Sequence, residues 1–584
     1  MKAIRLTKKF SMLIVKSVVG LFPKSLRSWL KQSPYLTSLY SRNLQRSGLF
    51  YGFPSRKKLD QLYKKNRIEQ SAALDNIRSD KSHDFTVVVI VPEGKTSKLN
   101  ETLSSLTKLE NTQLAVYIMC HKKDLAKCET VVAQNPQKSY ASKLIVDLAQ
   151  LPNTCFFMIY AGDKLHPLCA HAIAHYQRPQ DELIYVDTDE LEKELRVSPS
   201  FYPDWNPELQ LSSAYVRTGC WVSDVKVLQQ HGFVNSPQGI ALLFANLAVE
   251  QSHKISHIPL VLVHQTMSSA FSMSRYSEHL QVYLSGKAEV VLDKTHDIVA
   301  VNWSIAAAPL VSLIIPTKNG KQLVKACIES ILNKTSYMSI EILLIDNNSD
   351  ESDSLEYFAQ LNKHPLITLL KYPHPFNYSA INNFAVTQAR GEIIGLVNND
   401  IEVITPKWLA YMVGHVMRED IGCVGAKLLY ADGRVQHAGV VMGYGGGAGH
   451  AHKYFPRYHS GYLYRLAATG NFSAVTAACL LVKKNDFLAV GGLNEKELSI
   501  AFNDVDFCLK VMELGRRNLY CAEAELYHHE SVSRGHEDTK EKQQRFQSEL
   551  NYLKINWASY IANDPAYNPN LTLKRENFAI REKF

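Results

Sequence analysis

The chain has 584 residues, 46% of them hydrophobic, 10% aromatic and 21% charged, with 28 Gly and 22 Pro. At roughly 150 residues per domain this length calls for more than one hydrophobic core, and the composition excludes collagenous, low-complexity and disordered chains. The net charge of +9 conceals an asymmetry: residues 1–67 carry 16 Lys or Arg against the single acid Asp60, so the rest of the chain is net acidic, which argues against nucleic acid as a partner.

The basic stretch alternates cations with apolar residues in MKAIRLTKKFSMLIVKSVVGLF, a pattern suited to a helix lying among anionic lipid headgroups. Its apolar run from Phe10 to Phe22 is interrupted by Lys16 and falls short of the roughly 20 residues that cross a bilayer. Residues 1–80 are therefore expected to form a basic amphipathic helical arm on an anionic membrane surface. The alternative is a solvated basic helix docked on its own protein. Ten cysteines without a CxxC pair exclude a zinc ribbon or a disulfide scaffold and read as buried thiols in a reducing cytosol.

From residue 81 the pattern is that of an α/β protein. FTVVVIVPE predicts a buried strand, Leu99 to Leu106 a helix, LAVYIMC, CFFMIY and ELIYVD further strands, and HIPLVLVHQ closes the unit by residue 270. Residues 271–305 are mixed polar and helical and are expected to link two domains. The same order then restarts in 306–584, with strands at VSLIIPT, EILLIDNNS, LITLLKY and EIIGLVNND and a helix from Leu323 to Leu332. Two landmarks recur in sequence, an apolar strand ending in Pro (VIVP, LIIP) and a later strand leading to Asp (FFMIYAGD, IIGLVNND), so an internal duplication is expected. Downstream lie Gly443 to Gly449, expected as a mobile loop with solvent-exposed His450 and His452, and then the apolar AVTAACLLV. A helix opening on acids follows at NDVDFCLK, and the tail is helical from Lys540 to Ile561.

Ligands of open α/β sheets bind beyond the carboxyl ends of the strands, which directs attention to Pro316, Thr317, Asp346, Asn347, Asn398, Asn399 and Asp400. An Asp after the second strand can accept hydrogen bonds from a nucleoside, and one after a later strand can hold a divalent metal that bridges a diphosphate. The segments VSLIIPTKNG, LLIDNNSD, NYSAINNFAVTQARGEIIGLVNND, AVTAACLLV, NDVDFCLK and YHHESVSRG together resemble the family 2 glycosyltransferases of GT-A fold. The likeness is strongest to bacterial enzymes of the O-antigen and capsule type.

That resemblance implies two tandem Rossmann-like GT-A domains, the second of them (306–584) a nucleotide-diphospho-sugar transferase. It implies a nucleotide-diphosphate sugar as donor, a hydroxyl of a growing, lipid-linked surface glycan as acceptor, inversion at the anomeric carbon, Mg2+ or Mn2+ as cofactor, and a peripheral place on the cytoplasmic face of the membrane. Residue by residue, it implies Asp504 as catalytic base, and Pro316, Thr317, Asp346, Asn382, Asn398, Asn399 and Arg534 around the donor. Asp400 and His529 would hold the metal, and Thr476, Ala477 and Ala478 would form the acceptor-side wall. NND stands where many members have DxD, so Asn398 replaces a charged group.

The first copy, residues 81–270, keeps Asp163 at the acidic-strand position and has Asp187 and Asp189 nearby in sequence. The segment that should supply a base, NSPQGIALLFANL, holds no carboxylate, so this copy is expected to be a degenerate GT-A-like domain. Two further readings stay open: a bifunctional enzyme with two active domains, and a non-catalytic glycan-binding scaffold.

Overall fold

The structure, a computed structural model, describes residues 14, 18, 21–23, 56–135, 140–192, 194–250, 254–266, 271–529 and 539–582. Most of the basic arm, and Arg534, lie outside the described residues. The helices that matter below are α1 Arg56–Asn76, α2 Pro207–Ser213, α3 Gly239–Val249, α4 Met273–Tyr283, α5 Tyr378–Gln388, α6 Trp408–Val416, α7 Asn503–Glu513 and α8 Lys540–Asn556.

The first sheet contains β1 His83–Ile90, β2 Thr112–Met119, β3 Ala141–Ile145, β4 Phe156–Tyr160, β5 Lys164–Leu165, β6 Leu183–Glu192, β7 Leu195–Ser200, β8 Cys220–Val222 and β9 Ile255–Thr266. Its strands run in the order β3-β2-β1-β4-β8-β6-β9-β5, with β7 paired to β6. A hairpin of β10 Ala288–Asp293 and β11 Ile298–Trp303 follows.

The second sheet contains β12 Val311–Thr317, β13 Ile340–Asp346, β14 Ile367–Lys371, β15 Ile393–Val397, β16 Ile401–Val403, β17 Ile421–Leu429 and β18 Val435–His437. A separate hairpin of β19 Val440–Met442 and β20 Ala448–His450 precedes its last members, β21 Gly470–Asn471, β22 Cys479–Lys483 and β23 Arg517–His528. The order is β14-β13-β12-β15-β22-β17-β23-β16.

The two orders are the same, strand for strand. Parallel pairs β1–β2 and β1–β4 correspond to β12–β13 and β12–β15. Antiparallel β4–β8 corresponds to β15–β22, and parallel β6–β9 to β17–β23. The central strands are continuous apolar runs because both faces are covered: Val87 to Ile90 and Leu313 to Ile315 have no exposed surface. The duplication also fixes residue correspondences. Lys164 pairs with His264 where Ile401 pairs with His528, so Asp163 and His264 stand where the second unit has Asp400 and His528. Helices α3 and α7 each have 11 residues, which sets Ile240 against Asp504.

Two domain boundaries expected from the sequence are corrected. Residues 271–305 are not a linker: α4 and the β10–β11 hairpin bury Met273, Tyr276, Leu280, Val299 and Val301 against α2 and α3. Mixed polarity there reflects elements with one covered face. The end of the expected arm, residues 56–80, belongs to the body, because α1 buries Leu62, Tyr63 and Leu74 and donates from Asn66 Nδ2 to Asn570 Oδ1 at 2.7 Å. Among the described residues no helix is long and apolar enough to cross a membrane.

The units meet through buried charge. Glu208 of α2 accepts from Arg418 Nη1 at 2.7 Å and from Arg517, which also pairs with Asp420. The two guanidiniums hold the Glu208 carboxyl well below its ordinary pKa, and the Arg418 guanidinium lies over the Trp303 ring at 4.3 Å. The last residues thread along both units: Asp564 accepts from Met442 N at 2.6 Å, Asn568 Nδ2 donates to Asp187, and Arg581 pairs with Glu69 at 2.9 Å.

Candidate active site

The carboxyl ends of β12, β13 and β15 converge. Thr317 and Asp346 are cross-strand partners, and Asn347 N donates to Thr317 O at 2.8 Å. Asn399 Nδ2 reaches Thr317 Oγ1 at 2.9 Å, tying the acidic turn to β12. Asp346 Oδ1 accepts from Ser349 N at 3.0 Å, which holds the carboxylate at the turn after β13. Pro316 is tolerated inside the sheet because β12 pairs with β15 only as far as Ile314, so its missing N–H falls beyond the last pair. Asn382 stands apart from this group: it has no exposed surface, and its Nδ2 donates to Tyr378 O one turn back in α5 at 2.8 Å. Among the described residues its Oδ1 is buried without a hydrogen-bond partner, so this residue of the expected donor-side set lies within the packing of α5 rather than at the strand ends.

The imidazole beside Asp400 is His528. Its Nε2 lies 3.1 Å from Asp400 Oδ1, whereas His529 turns to Glu402 Oε2 at 3.2 Å. Adjacent residues of an extended strand project to opposite sides, so only one of the two histidines can serve Asp400. His529, expected beside the metal, thus lies against Glu402, and His528 is the histidine next to Asp400.

His528 Nδ1 lies 2.6 Å from Gln436 Oε1, an acceptor, which puts the ring proton on Nδ1 and leaves a lone pair on Nε2. Asn398 Nδ2 donates toward that lone pair at 3.2 Å. His528 Nε2 and Asp400 Oδ1 thus lie 3.1 Å apart, close enough for both residues to take part in holding one divalent cation. Asp400 and His528 are the pair here that could contribute to holding a cation, and among the described residues no third His, Cys, Asp or Glu completes a group around them.

The third component is the segment Thr476–Ala478, which ties the turn that carries Asp400 to Asp504. Ala478 O accepts from Asn398 N at 3.0 Å, Ala477 O accepts from the Tyr378 hydroxyl at 3.1 Å, and Ala477 N donates to Asp504 Oδ2 at 3.1 Å. Asp504 is the second residue of α7, preceded by Phe502 in the left-handed region at φ 58°. A non-glycine residue held there is the kind of strain found where a site imposes geometry. Glu549 of α8 clamps the approach, accepting from Ile500 N and Ala501 N at 2.9 and 3.2 Å. Burial raises the Asp504 carboxyl above its ordinary pKa, against the pull of its Ala477 and Thr476 hydrogen bonds. Two residues further along α7, Asp506 is structural: it accepts from Trp557 Nε1 at 2.9 Å and pairs with Lys510 at 3.1 Å.

The glycine stretch is a packed hairpin, contrary to the expected mobile loop. A Cβ on Gly443, at φ 91°, would meet Ile561 O at 2.8 Å. His452 is fully buried and stacks on Phe578 at 4.4 Å, and His450 is half-buried against His437, so neither is a solvated loop histidine. Gln436 and His437 were missed from the sequence because their strand β18 is only three residues long.

Residues 312–482, within the second unit, match the family model "Glycosyl transferase family 2". The first unit repeats the same topology. Among relatives, an uncharacterized protein of Sinorhizobium fredii, y4gI, is 44% identical over 69% of this chain and 46% of its own length. The O-antigen biosynthesis protein RfbC of Myxococcus xanthus is 34% identical over 71% of this chain and 33% of its own. The chain thus spans less than half the length of either. Among solved structures, a mannosyltransferase from Pyrobaculum calidifontis in complex with GDP-Man and Mn2+ aligns at 15% identity over 50% of this chain and 78% of that chain, with a TM-score of 0.33.

Proposed function

We propose that the chain transfers a sugar, with inversion, from a nucleotide-diphosphate donor to a hydroxyl of a growing, lipid-linked surface glycan, using one site in the second unit. The observation that carries this reading is the single hydrogen-bonded segment, Thr476–Ala478, that joins the Asp504 carboxylate to the Asp400–His528 pair. In this reading Asp504 is the base and Asp400 with His528 the cation side, tied together by that segment.

In this reading Thr317, Asp346, Asn398 and Asn399 bind the nucleotide side of the donor, with Pro316 shaping the strand end. Asp400 and His528 hold Mg2+ or Mn2+, which when bound offsets the charge of the diphosphate. Asp504 takes the proton from the acceptor hydroxyl as that oxygen attacks the anomeric carbon; its raised pKa makes it a better proton acceptor than an ordinary Asp. The small side chains of Ala477 and Ala478 leave room for a sugar to approach that carboxylate. Arg534, outside the described residues, is proposed to meet the leaving diphosphate.

The basic arm is proposed to hold the enzyme on the inner face of the cytoplasmic membrane. Replacing Lys8, Lys9 and Lys16 by Glu should abolish binding to anionic vesicles; undiminished binding would remove the arm from the account. The transferase reading is tested by nucleotide release from a panel of UDP-, dTDP- and GDP-sugars with Mn2+. Release by the wild type that is lost in Asp504→Asn supports it, and no release with any donor would favour a non-catalytic glycan-binding scaffold.

A further inference from the structure

Strand β18 touches both sides of the site. Gln436 fixes the tautomer of His528, while its neighbour His437 faces a different partner. His437 is fully buried, its Nε2 lies 3.4 Å from Thr476 N, and its Nδ1 lies 2.8 Å from Nδ1 of His450. A backbone N–H can only donate, so His437 Nε2 is the acceptor and its ring proton sits on Nδ1. That proton points at His450 Nδ1, which must accept, so the proton of His450 sits on Nε2.

Burial keeps both rings neutral, with His437 held well below its ordinary pKa and His450 pushed down to about 3. His450 is half-buried, and its ring meets His437 through Nδ1, which leaves Nε2 to turn outward from that pair. Its mount is firm: it ends the β19–β20 hairpin, whose glycines pack against Leu550, Ile561 and Leu573. The relay therefore presents one N–H donor of fixed direction and no charge. Such a group suits a hydroxyl oxygen of a neutral sugar better than a phosphate, for which a cationic side chain is the stronger partner. The relay is anchored at Thr476, next to the Ala477 amide that holds Asp504, which sets it on the acceptor side.

We propose that His450 is an acceptor-specificity residue whose Nε2–H donates to a hydroxyl oxygen of the acceptor sugar beside the hydroxyl that Asp504 deprotonates, with His437 as the positioning residue that fixes its tautomer. The proposal rests on the transferase reading above. It adds a residue that reads the acceptor and leaves the donor untouched.

The test combines a spectrum and kinetics. In protein labelled with 15N-histidine, the resonances lost in His450→Gln should report a neutral ring protonated at Nε2; a ring protonated at Nδ1 would overturn the proposal without any substrate. Transfer is then measured to octyl β-glycosides of glucose, galactose, N-acetylglucosamine and rhamnose. His450→Leu should raise the KM for the accepted glycoside about tenfold or more, while donor KM and acceptor-free nucleotide release stay within about twofold. His450→Gln, which keeps an N–H at that reach, should recover most of the loss. An unchanged glycoside KM in His450→Leu, or a donor KM that rises with it, overturns the proposal while leaving the transferase reading intact. A wild type that releases nucleotide from no donor overturns that reading instead, and this inference with it.

Discussion

The two units share a sheet, a strand order and a register, yet they fill the same positions with opposite chemistry. At the turn after β15 the second unit sets Asp400 3.1 Å from His528 Nε2; at the turn after β4 the first unit seals Asp163 with the Thr218 hydroxyl at 2.6 Å and the Tyr160 amide. Both histidines at this register give Nδ1 to a protein acceptor, His528 to Gln436 at 2.6 Å and His264 to the carboxylate of Asp189 at 2.7 Å, and His528 brings its Nε2 to 3.1 Å from Asp400. Asp189 also takes Arg196 at 2.6 Å and the Tyr63 hydroxyl from α1, and Asp187 takes His257 at 2.9 Å and Asn568. Where α7 offers Asp504, α3 offers the fully buried Ile240, with the Tyr160 hydroxyl accepting from its amide at 3.2 Å. A fold can thus keep its scaffold while its polar residues pass from ligand binding to internal cohesion. This speaks against the bifunctional reading: the first unit's acids already have protein partners.

The comparison can be broken most decisively at the base. Asp504→Asn should reduce transfer by about a hundredfold or more while nucleotide affinity, read by calorimetry, stays unchanged. Next come Asp400→Ala and His528→Ala, each expected to weaken Mn2+-dependent nucleotide binding by about tenfold or more; His529→Ala should not. Equal losses from both histidines would reverse the assignment made from the geometry.

A milder effect is a pH limb. Because burial raises the Asp504 pKa, transfer at saturating donor should fall with acidification through a pKa above the ordinary Asp value, and a flat acid profile would remove it as the base. The smallest effect belongs to the first unit. Burial pushes the Asp163 carboxyl up to about 6, so the folded state binds a proton there that the unfolded chain has already released, and stability drops as pH rises from roughly 4 to 6. Asp163→Asn should therefore leave transfer unchanged and add about 1–3 kcal/mol at pH 7, a gain that vanishes below about pH 4. A loss of transfer in this variant would revive a second working site.

The architecture was largely legible because buried parallel strands announce themselves as apolar runs, and the recurrence of VIVP and LIIP exposed the duplication. Thr317, Asp346 and Asp400 were equally legible, since strand ends are where an α/β sheet presents its polar residues. What escaped depended on contacts distant in sequence. Choosing between His528 and His529 needs the β16–β23 register, which no local pattern carries. Asn382 looks like a polar residue beside a site, and only the packing of α5 shows it turned inward. The hairpin residues 271–305 read as a linker because a short two-stranded element covered on one face has no long apolar run.

The closing segment of the chain bears on how the protein comes apart. Its Asp564 satisfies a backbone amide of the second unit, its Asn568 a buried carboxylate of the first, and its Asn570 the helix α1. Removing it would leave buried polar groups orphaned in both halves at once, each at a cost of about 1–3 kcal/mol. Neither half can then melt without unsettling the other. Two ancestral copies with separate cores should accordingly denature as one calorimetric transition, with a van't Hoff enthalpy close to the measured one.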